Sequence, residues 1–97
     1  MRTLETILAD LRAMQPRLRE RYPIRAMGVF GSYVRGEQTE DSDLDLLVEL
    51  GDGMTLIDLA GLQIELSEAL GVEVEMVERE ALRPRLAAHV MSEVVTV

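Results

Sequence analysis

Hydrophobic residues recur at intervals of three and four over the first twenty positions of the chain. The apolar positions of this segment are Leu4, Ile7, Leu8, Leu11, Met14 and Leu18. With charged residues between them, this spacing predicts an amphipathic helix from about Thr3 to Glu20. Pro16 lies inside that helix and is expected to kink or restart it. Tyr22-Pro23 is expected to end it, because the residue before a proline disfavours helical geometry.

Three apolar segments further along the chain are short enough to be strands. Ile24 to Phe30 is predicted to be a buried strand, and Leu44 to Leu50 a second one. Between 72 and 77, apolar and acidic residues largely alternate, which predicts a third strand with one face exposed. The polar stretch from Gly31 to Ser42 is predicted to be a loop that contains a short helix around Tyr33 to Gly36.

Two further helices and a tail complete the predicted elements. One helix should run from a cap at Thr55 to about Leu70, where Gly71 stops it. Its inward residues are predicted to be Leu56, Leu59, Leu62, Ile64, Leu66 and Leu70. The last helix is expected over Ala81 to Met91, with Pro84 near its first turn. Val94 to Val97 is predicted to be an edge strand of the chain's own sheet or an interface strand. Helices that alternate with strands predict an α/β fold in which helices cover the sheet, as one domain over 1–97.

The charge balance and the absence of cysteine exclude several functions. Ten Lys and Arg against eighteen Asp and Glu give a formal net charge of −8. An acidic surface repels phosphate backbones and anionic lipid, so a divalent cation or a basic protein is the better partner than nucleic acid or membrane. Without cysteine there is no disulfide, thiolate zinc site or thiol nucleophile. With no signal-peptide core and no apolar stretch near ~18 residues, a cytoplasmic location is expected.

The candidate chemistry lies in two neighbouring motifs, Gly31-Ser32-Tyr33-Val34-Arg35-Gly36 and Asp41-Ser42-Asp43-Leu44-Asp45. The first motif has the glycine spacing of a P-loop, but Glu37 stands where the phosphate-binding lysine belongs. The second begins like a calcium-binding EF-hand loop, but Leu46 occupies the glycine position. The dinucleotide fingerprint G-x-G-x-x-G is absent. None of these three familiar sites is therefore predicted.

Strand geometry favours a metal–nucleotide site instead. Asp43 and Asp45 are two residues apart, so their carboxylates point to one face and repel each other unless a cation intervenes. Mg²⁺ is usually held by one or two carboxylates together with substrate phosphates. Gly31 lets a phosphate approach the backbone, Ser32 donates through its N–H and hydroxyl groups, and Arg35 adds a cationic fork. Taken alone, Asp-x-Asp would rather indicate a solvated turn.

The spacing of Gly31-Ser32, ten residues and then Asp43-x-Asp45 resembles the signature of the DNA polymerase β-like nucleotidyltransferases. The longer string GSYVRGEQTEDSDLDLLVEL resembles the minimal nucleotidyltransferases in particular. This resemblance covers nearly the whole chain and implies a nucleotidyltransferase fold: a short mixed sheet covered by helices, with three carboxylates from two strands. In the third position the chain has Glu75, within Val74-Glu75-Met76-Val77, where the family usually has aspartate. Glu73 is a weaker candidate for that position.

The resemblance also implies a reaction. Two Mg²⁺ ions would be held by Asp43, Asp45 and Glu75, which are the expected catalytic residues, while Gly31, Ser32 and Arg35 bind the nucleotide. Minimal nucleotidyltransferases transfer AMP from ATP to a tyrosine of a partner HEPN-domain toxin and so act as its antitoxin. Two alternatives stay open. A catalytically weak nucleotidyltransferase fold could neutralise the partner by occlusion, or the acidic residues could form only a solvated turn.

Overall fold

Four helices and four strands follow one another along the chain in a computed structural model that describes residues 1–97. In chain order the elements are α1 (Leu4–Arg21), β1 (Ile24–Phe30), α2 (Ser32–Arg35), β2 (Leu44–Leu50), α3 (Leu56–Leu70), β3 (Val74–Glu78), a 3₁₀ turn (Arg79–Ala81), α4 (Pro84–Glu93) and β4 (Val95–Thr96). The predicted alternation of helices and strands is confirmed.

The strands form one mixed sheet in the order β3-β2-β1-β4. β1 is antiparallel to both β2 and β4, whereas β2 and β3 are parallel. A parallel pair needs a crossover connection, and α3 supplies it. The mixed sheet is as predicted, and the C-terminal tail is an edge strand of the chain's own sheet. The same topology brings β2 and β3, which carry the predicted carboxylates, side by side.

The main core lies between one face of the sheet and helices α1 and α3. Its members include Ile7, Leu8, Leu11 and Leu18 of α1, Leu62, Leu66 and Leu70 of α3, and Leu44, Leu46 and Val48 of β2. Because side chains alternate along a strand, Asp45 and Leu47 point to the opposite face. The acidic residues therefore lie on the side of the sheet away from this core.

Local signals in the sequence set the helix ends. A capping box formed by Thr3 and Thr6 starts α1, and one formed by Thr55 and Asp58 starts α3. Gly71 ends α3 in the left-handed region, with φ 70°. α1 runs as one helix through Pro16, so the predicted restart there does not occur.

Three predicted details of the elements are wrong. Leu56 and Ile64 were expected to face inward, but they are 84% and 58% exposed. The buried stripe of α3 repeats every four residues through Leu62, Leu66 and Leu70, and Ile64 lies between its members on the other side of the helix. Leu56 is exposed because it is the first residue of α3 and precedes the buried stripe, which begins at Leu62.

The other two differences concern element boundaries after α3. β3 begins at Val74 rather than at 72, because the residues after Gly71 carry the chain from the helix into the sheet. α4 begins at Pro84, and Ala81 belongs to the preceding 3₁₀ turn. Proline is favoured in the first turn of a helix, where its missing N–H would have no partner.

None of the helices combines the length and the apolar character needed to cross a membrane.

Candidate active site

Three carboxylates come together where β2 and β3 begin. Asp45 pairs with Glu75 in the parallel register, and the two side chains are within hydrogen-bonding range. Asp43 stands two residues before Asp45, just outside β2. Asp45 is half-buried, whereas Asp43 and Glu75 are exposed. The predicted acidic set is therefore a cluster in space.

The environment of Asp45 disfavours its negative charge. Burial raises the pKa of Asp45 above its ordinary value, and the charges of Glu75 and Asp43 raise it further. A hydrogen bond with Glu75 acts in the same direction, while Arg35 partly opposes the shift. A carboxylate in this situation is stabilised either by a proton or by a cation placed beside it. The cluster therefore has the electrostatics of a cation-binding position.

The donor set fits a cation shared with a substrate better than a resident metal. No group of three or more His, Cys, Asp or Glu side chains is arranged to enclose a metal ion by itself. Mg²⁺ seldom needs such a cage, because it keeps several waters and is usually held by one or two carboxylates plus substrate phosphates. Asp45 with Asp43 or Glu75 matches that requirement, provided that a phosphate group supplies the remaining oxygens.

Glu73, the weaker candidate for the third carboxylate, lies before the first residue of β3. Its backbone oxygen accepts a hydrogen bond of 2.8 Å from the N–H of Leu44. Its side chain is exposed and is not among the charges that act on Asp45. Glu75 is therefore the β3 residue that the fold places beside Asp45.

Gly31 joins the loop to the acidic cluster. Its backbone φ of 80° with ψ of −150° is a combination that residues other than glycine rarely adopt. A Cβ atom at this position would also overlap the Asp45 carboxylate. The preceding residue, Phe30, is paired with Asp45 across β1 and β2. The backbone of the loop therefore lies directly against Asp45, which only glycine permits.

Alanine at Gly31 should therefore destabilise the protein and displace Asp45. We expect Gly31→Ala to lower the free energy of unfolding by about 1–3 kcal/mol from backbone strain, with a further loss from the overlap. Gly36→Ala is the matched control, because Gly36 also has a positive φ of 70° but nothing lies within 4 Å of its added Cβ. Urea unfolding of both variants measures the difference. Equal losses would contradict the close approach of Gly31 to Asp45.

The residues after Gly31 form a short turn of helix that is anchored in the core. Tyr33 is buried among the core residues, so its packing holds the loop against the core. Ser32, the first residue of α2, is partly exposed. The Ser32 hydroxyl is thus within reach of a ligand that binds next to the acidic cluster.

Arg35 is already engaged by two carboxylates. Its Nη1 lies 3.0 Å from both carboxylate oxygens of Glu93, and its Nε donates to Glu37 at 2.8 Å. Glu93 also accepts a hydrogen bond of 3.0 Å from the backbone N–H of Gly31. Sequence reasoning missed Glu93 and Glu37 as partners of Arg35, although Glu37, two residues after Arg35, was a local signal. Only the Nη2 group of Arg35 has no partner within the protein.

A mixed sheet, a Gly-Ser loop and an acidic pair on neighbouring strands define the class of proteins that transfer nucleotidyl groups. Residues 11–97 match the family model described as nucleotidyltransferase domain, so the chain belongs to the nucleotidyltransferase family. It is also 44% identical over 97 residues to a protein adenylyltransferase MntA of Thermococcus cleftensis, covering 100% of this chain and 98% of the relative.

Solved structures share this fold. One, assigned as a minimal nucleotidyltransferase, superposes with a TM-score of 0.82 at 42% identity and covers 99% of this chain and 97% of its own. Another is a toxin–antitoxin crystal structure with AMP-PNP, with a TM-score of 0.72 at 26% identity over 88% of this chain and 69% of that one. The nucleotidyltransferase fold that the sequence predicted is therefore confirmed.

Proposed function

We propose that the chain is a Mg²⁺-dependent protein adenylyltransferase that transfers AMP from ATP to a tyrosine hydroxyl of a partner HEPN-domain toxin. By this modification it would act as the antitoxin of that partner. The observation that carries the proposal is the register of Asp45 against Glu75, directly beside the Gly31 backbone. The similarity to a protein adenylyltransferase supports a protein as the acceptor. The similarity to a toxin–antitoxin protein solved with AMP-PNP supports a nucleotide donor and a toxin as the partner.

Each residue of the site has a proposed role. Gly31 and Ser32 receive the ATP phosphates, and the free Nη2 group of Arg35 adds a positive charge beside them. Asp43 and Asp45 would hold Mg²⁺, two ions in this proposal, together with the phosphates, and Glu75 would complete the set of carboxylates on the acceptor side. When bound, Mg²⁺ neutralises phosphate charge and lowers the pKa of an acceptor hydroxyl.

The proposed transfer is a nucleophilic substitution at the α-phosphorus of ATP. The tyrosine oxygen forms a bond to the α-phosphorus, the bond to the β-phosphate oxygen breaks, and pyrophosphate leaves. The hydroxyl proton passes to a base, a role that we assign to Glu75, whose side chain lies beside Asp45. Its exposed carboxylate is accessible to a side chain that approaches from solvent.

A protein acceptor suits this chain better than a nucleic acid. The formal net charge of −8 would repel a polynucleotide backbone over the whole surface. The resulting field favours a basic partner, since association is faster when the two surfaces have opposite charge. The cation and nucleotide sites are confined to one small cluster, which leaves the remaining surface available for the partner.

Transfer to a purified HEPN-domain partner tests the proposal. With ATP labelled on the α-phosphate, the label should become fixed to the partner in the presence of Mg²⁺, and chelation of Mg²⁺ should prevent it. ATP labelled on the γ-phosphate is the control, because that label must leave with pyrophosphate. Peptide mapping should place the AMP on tyrosine.

A second function is favoured by one observation, the glutamate at 75 where the family resemblance leads us to expect aspartate. An extra methylene shifts the carboxylate, and an error of about 1 Å in an active site can cost ~100-fold in rate. In that case the chain would bind the partner and block it without modifying it. Tight partner binding with no label transfer would support this occlusion and contradict adenylyl transfer.

A further inference from the structure

Glu93, the last residue of α4, binds the Gly31–Arg35 loop from outside the acidic cluster. Its side chain is only 14% exposed. Oε1 accepts hydrogen bonds of 3.0 Å from the Gly31 N–H and from Arg35 Nη1, and Oε2 lies 3.0 Å from the same Nη1. His89, one turn earlier on α4, lies 3.9 Å from Oε1. One carboxylate thus contacts both ends of the loop.

The pairing of the last strand explains why Glu93 reaches that position. β4 is antiparallel to β1, with Val95 opposite Val29 and Thr96 opposite Gly28. Continuing this pairing by two residues along each strand sets Glu93 opposite Gly31. Packing is close nearby, because a Cβ atom on Gly28 would lie 2.6 Å from the Val94 side chain. The end of the chain therefore aligns Glu93 with the loop.

The carboxylate of Glu93 is better shielded from water than the groups of an ordinary surface ion pair, although its partner Arg35 is exposed. Exposed pairs contribute little, about 0–1 kcal/mol, because water screens them. Glu93 is mostly buried and accepts charge-assisted hydrogen bonds, which are about twice as strong as neutral ones. Burial by itself would raise the pKa of Glu93, but the Gly31 N–H and Arg35 outweigh it and hold that pKa below its ordinary value. The carboxylate is therefore ionised at neutral pH and bound to the loop.

We infer that Glu93 is a positioning residue, whose carboxylate holds the Gly31–Arg35 loop in the conformation that receives the nucleotide phosphates. This inference rests on the proposed function, since it assigns Glu93 to the ATP site of that reaction. Because glycine has wide backbone freedom, the conformation of Gly31 has to be fixed by its partners, and Glu93 bonds to its N–H. Ser32 lies between the two anchored residues, so its hydroxyl is held toward the ligand.

Loss of this contact should weaken ATP binding more than it slows transfer. If the loop adopts its nucleotide-binding conformation only part of the time, the apparent affinity for ATP is reduced in proportion to that fraction. We expect Glu93→Ala to raise the Kd for Mg²⁺–ATP about tenfold, while transfer at saturating ATP is largely retained. Glu93→Gln should have a smaller effect, because its amide oxygen still accepts from Gly31 although the ion pair with Arg35 is lost. Glu80→Gln is the control, since exposed Glu80 has no ion pair.

Titration calorimetry with Mg²⁺–ATP and amide hydrogen exchange of Gly31 measure these effects. Exchange at Gly31 should be faster in Glu93→Ala than in the wild type or in Glu93→Gln. A merely structural role would lower the melting temperature without changing the Kd of the folded protein. If Glu93→Ala does not fold, Glu93→Gln combined with Arg35→Gln provides the test, because coupled residues should give non-additive changes in Kd.

The outcomes separate this inference from the proposed function. Failure of the wild type to bind Mg²⁺–ATP would overturn the proposed function, and the inference with it. Equal binding by wild type and Glu93→Ala would overturn the inference alone. Tighter binding by Glu93→Ala would also overturn it, since Glu93 would then be a competitor of the phosphates rather than a support for the loop.

Discussion

Replacing Asp43 and Asp45 together with asparagine should abolish AMP transfer while making the ligand-free protein more stable. Both carboxylates are proposed to hold the cations that balance the phosphate charge. Removal of one preorganised group that stabilises developing charge costs about 10²–10³ in rate, so removal of two should reduce transfer by at least that factor. The melting-temperature increase that Mg²⁺–ATP gives the wild type should also disappear, a loss of about 2.7 kcal/mol at a ligand concentration of 100 Kd.

The gain in stability follows from the raised pKa of Asp45. Burial, Glu75 and Asp43 all make the charged form of Asp45 unfavourable in the folded protein. A group whose pKa is raised on folding contributes stability that is present below its unfolded pKa and is lost as the pH rises through the folded pKa. Asparagine resembles the protonated form, so the variant should melt a few degrees above the wild type at neutral pH. The difference should vanish in acid.

Thermal melts with and without Mg²⁺–ATP, from acid to neutral pH, check both effects. Asp52→Asn with Glu68→Gln is the matched control, because it removes two exposed carboxylates outside the acidic cluster, one beyond the far end of β2 and one in α3. That control should keep the full ligand-induced shift. A full shift in the Asp43 and Asp45 variant instead would mean that the nucleotide and cation bind elsewhere.

Local chemistry in the sequence was enough to predict most elements. Thr3 and Thr55 are capping residues, Gly71 is a stop signal, and the helices they delimit have the predicted type and nearly the predicted length. The pair of aspartates in the acidic cluster could also be predicted from the sequence, since alternation along a strand puts Asp43 and Asp45 on one face. Its partner on β3 followed from the family resemblance, and the parallel register of Asp45 with Glu75 agrees with it.

The inward face of α3 could not be predicted from the sequence, because this helix is apolar on more than one side. Leu56, Ile57 and Ile64 are exposed, yet in sequence they resemble the buried leucines of the same helix. Periodicity identifies the helix but cannot select the side that meets the sheet when both sides are hydrophobic. Packing against β3 and β2 makes that selection.

The environment of Arg35 was hidden for a different reason. Glu93 comes next to Arg35 and Gly31 only through the antiparallel pairing of a two-residue strand with β1. Such a contact between distant parts of the chain leaves no periodic or motif signal near either residue. The sequence showed a cation next to a Gly-Ser loop, which suggested phosphate, whereas two carboxylates of the protein itself occupy the Nε and Nη1 donors of Arg35.

Glu75→Gln should bind Mg²⁺–ATP nearly as the wild type does but transfer AMP at least ~100-fold more slowly. Binding is proposed to depend on Gly31, Ser32 and the two aspartates, which this change leaves in place. Transfer also needs a carboxylate on the acceptor side, and a general base alone contributes about 10²–10⁴-fold. Glu75→Asp should keep substantial activity, because it retains the carboxylate and introduces the residue that the family resemblance leads us to expect. Single-turnover transfer to the partner, followed by intact mass, measures the rates.

Glu73→Gln is the matched control for this change, since it removes the same charge from the same segment but outside the cluster. It should transfer AMP at close to the wild-type rate. An independent readout comes from Asp45, because the charge of Glu75 helps to raise its pKa. Glu75→Gln should therefore lower the pKa of Asp45 in an NMR titration of ligand-free protein, and Glu73→Gln should not. Full activity in Glu75→Gln with loss in Glu73→Gln would assign the third carboxylate to residue 73, despite the register that pairs residue 75 with Asp45.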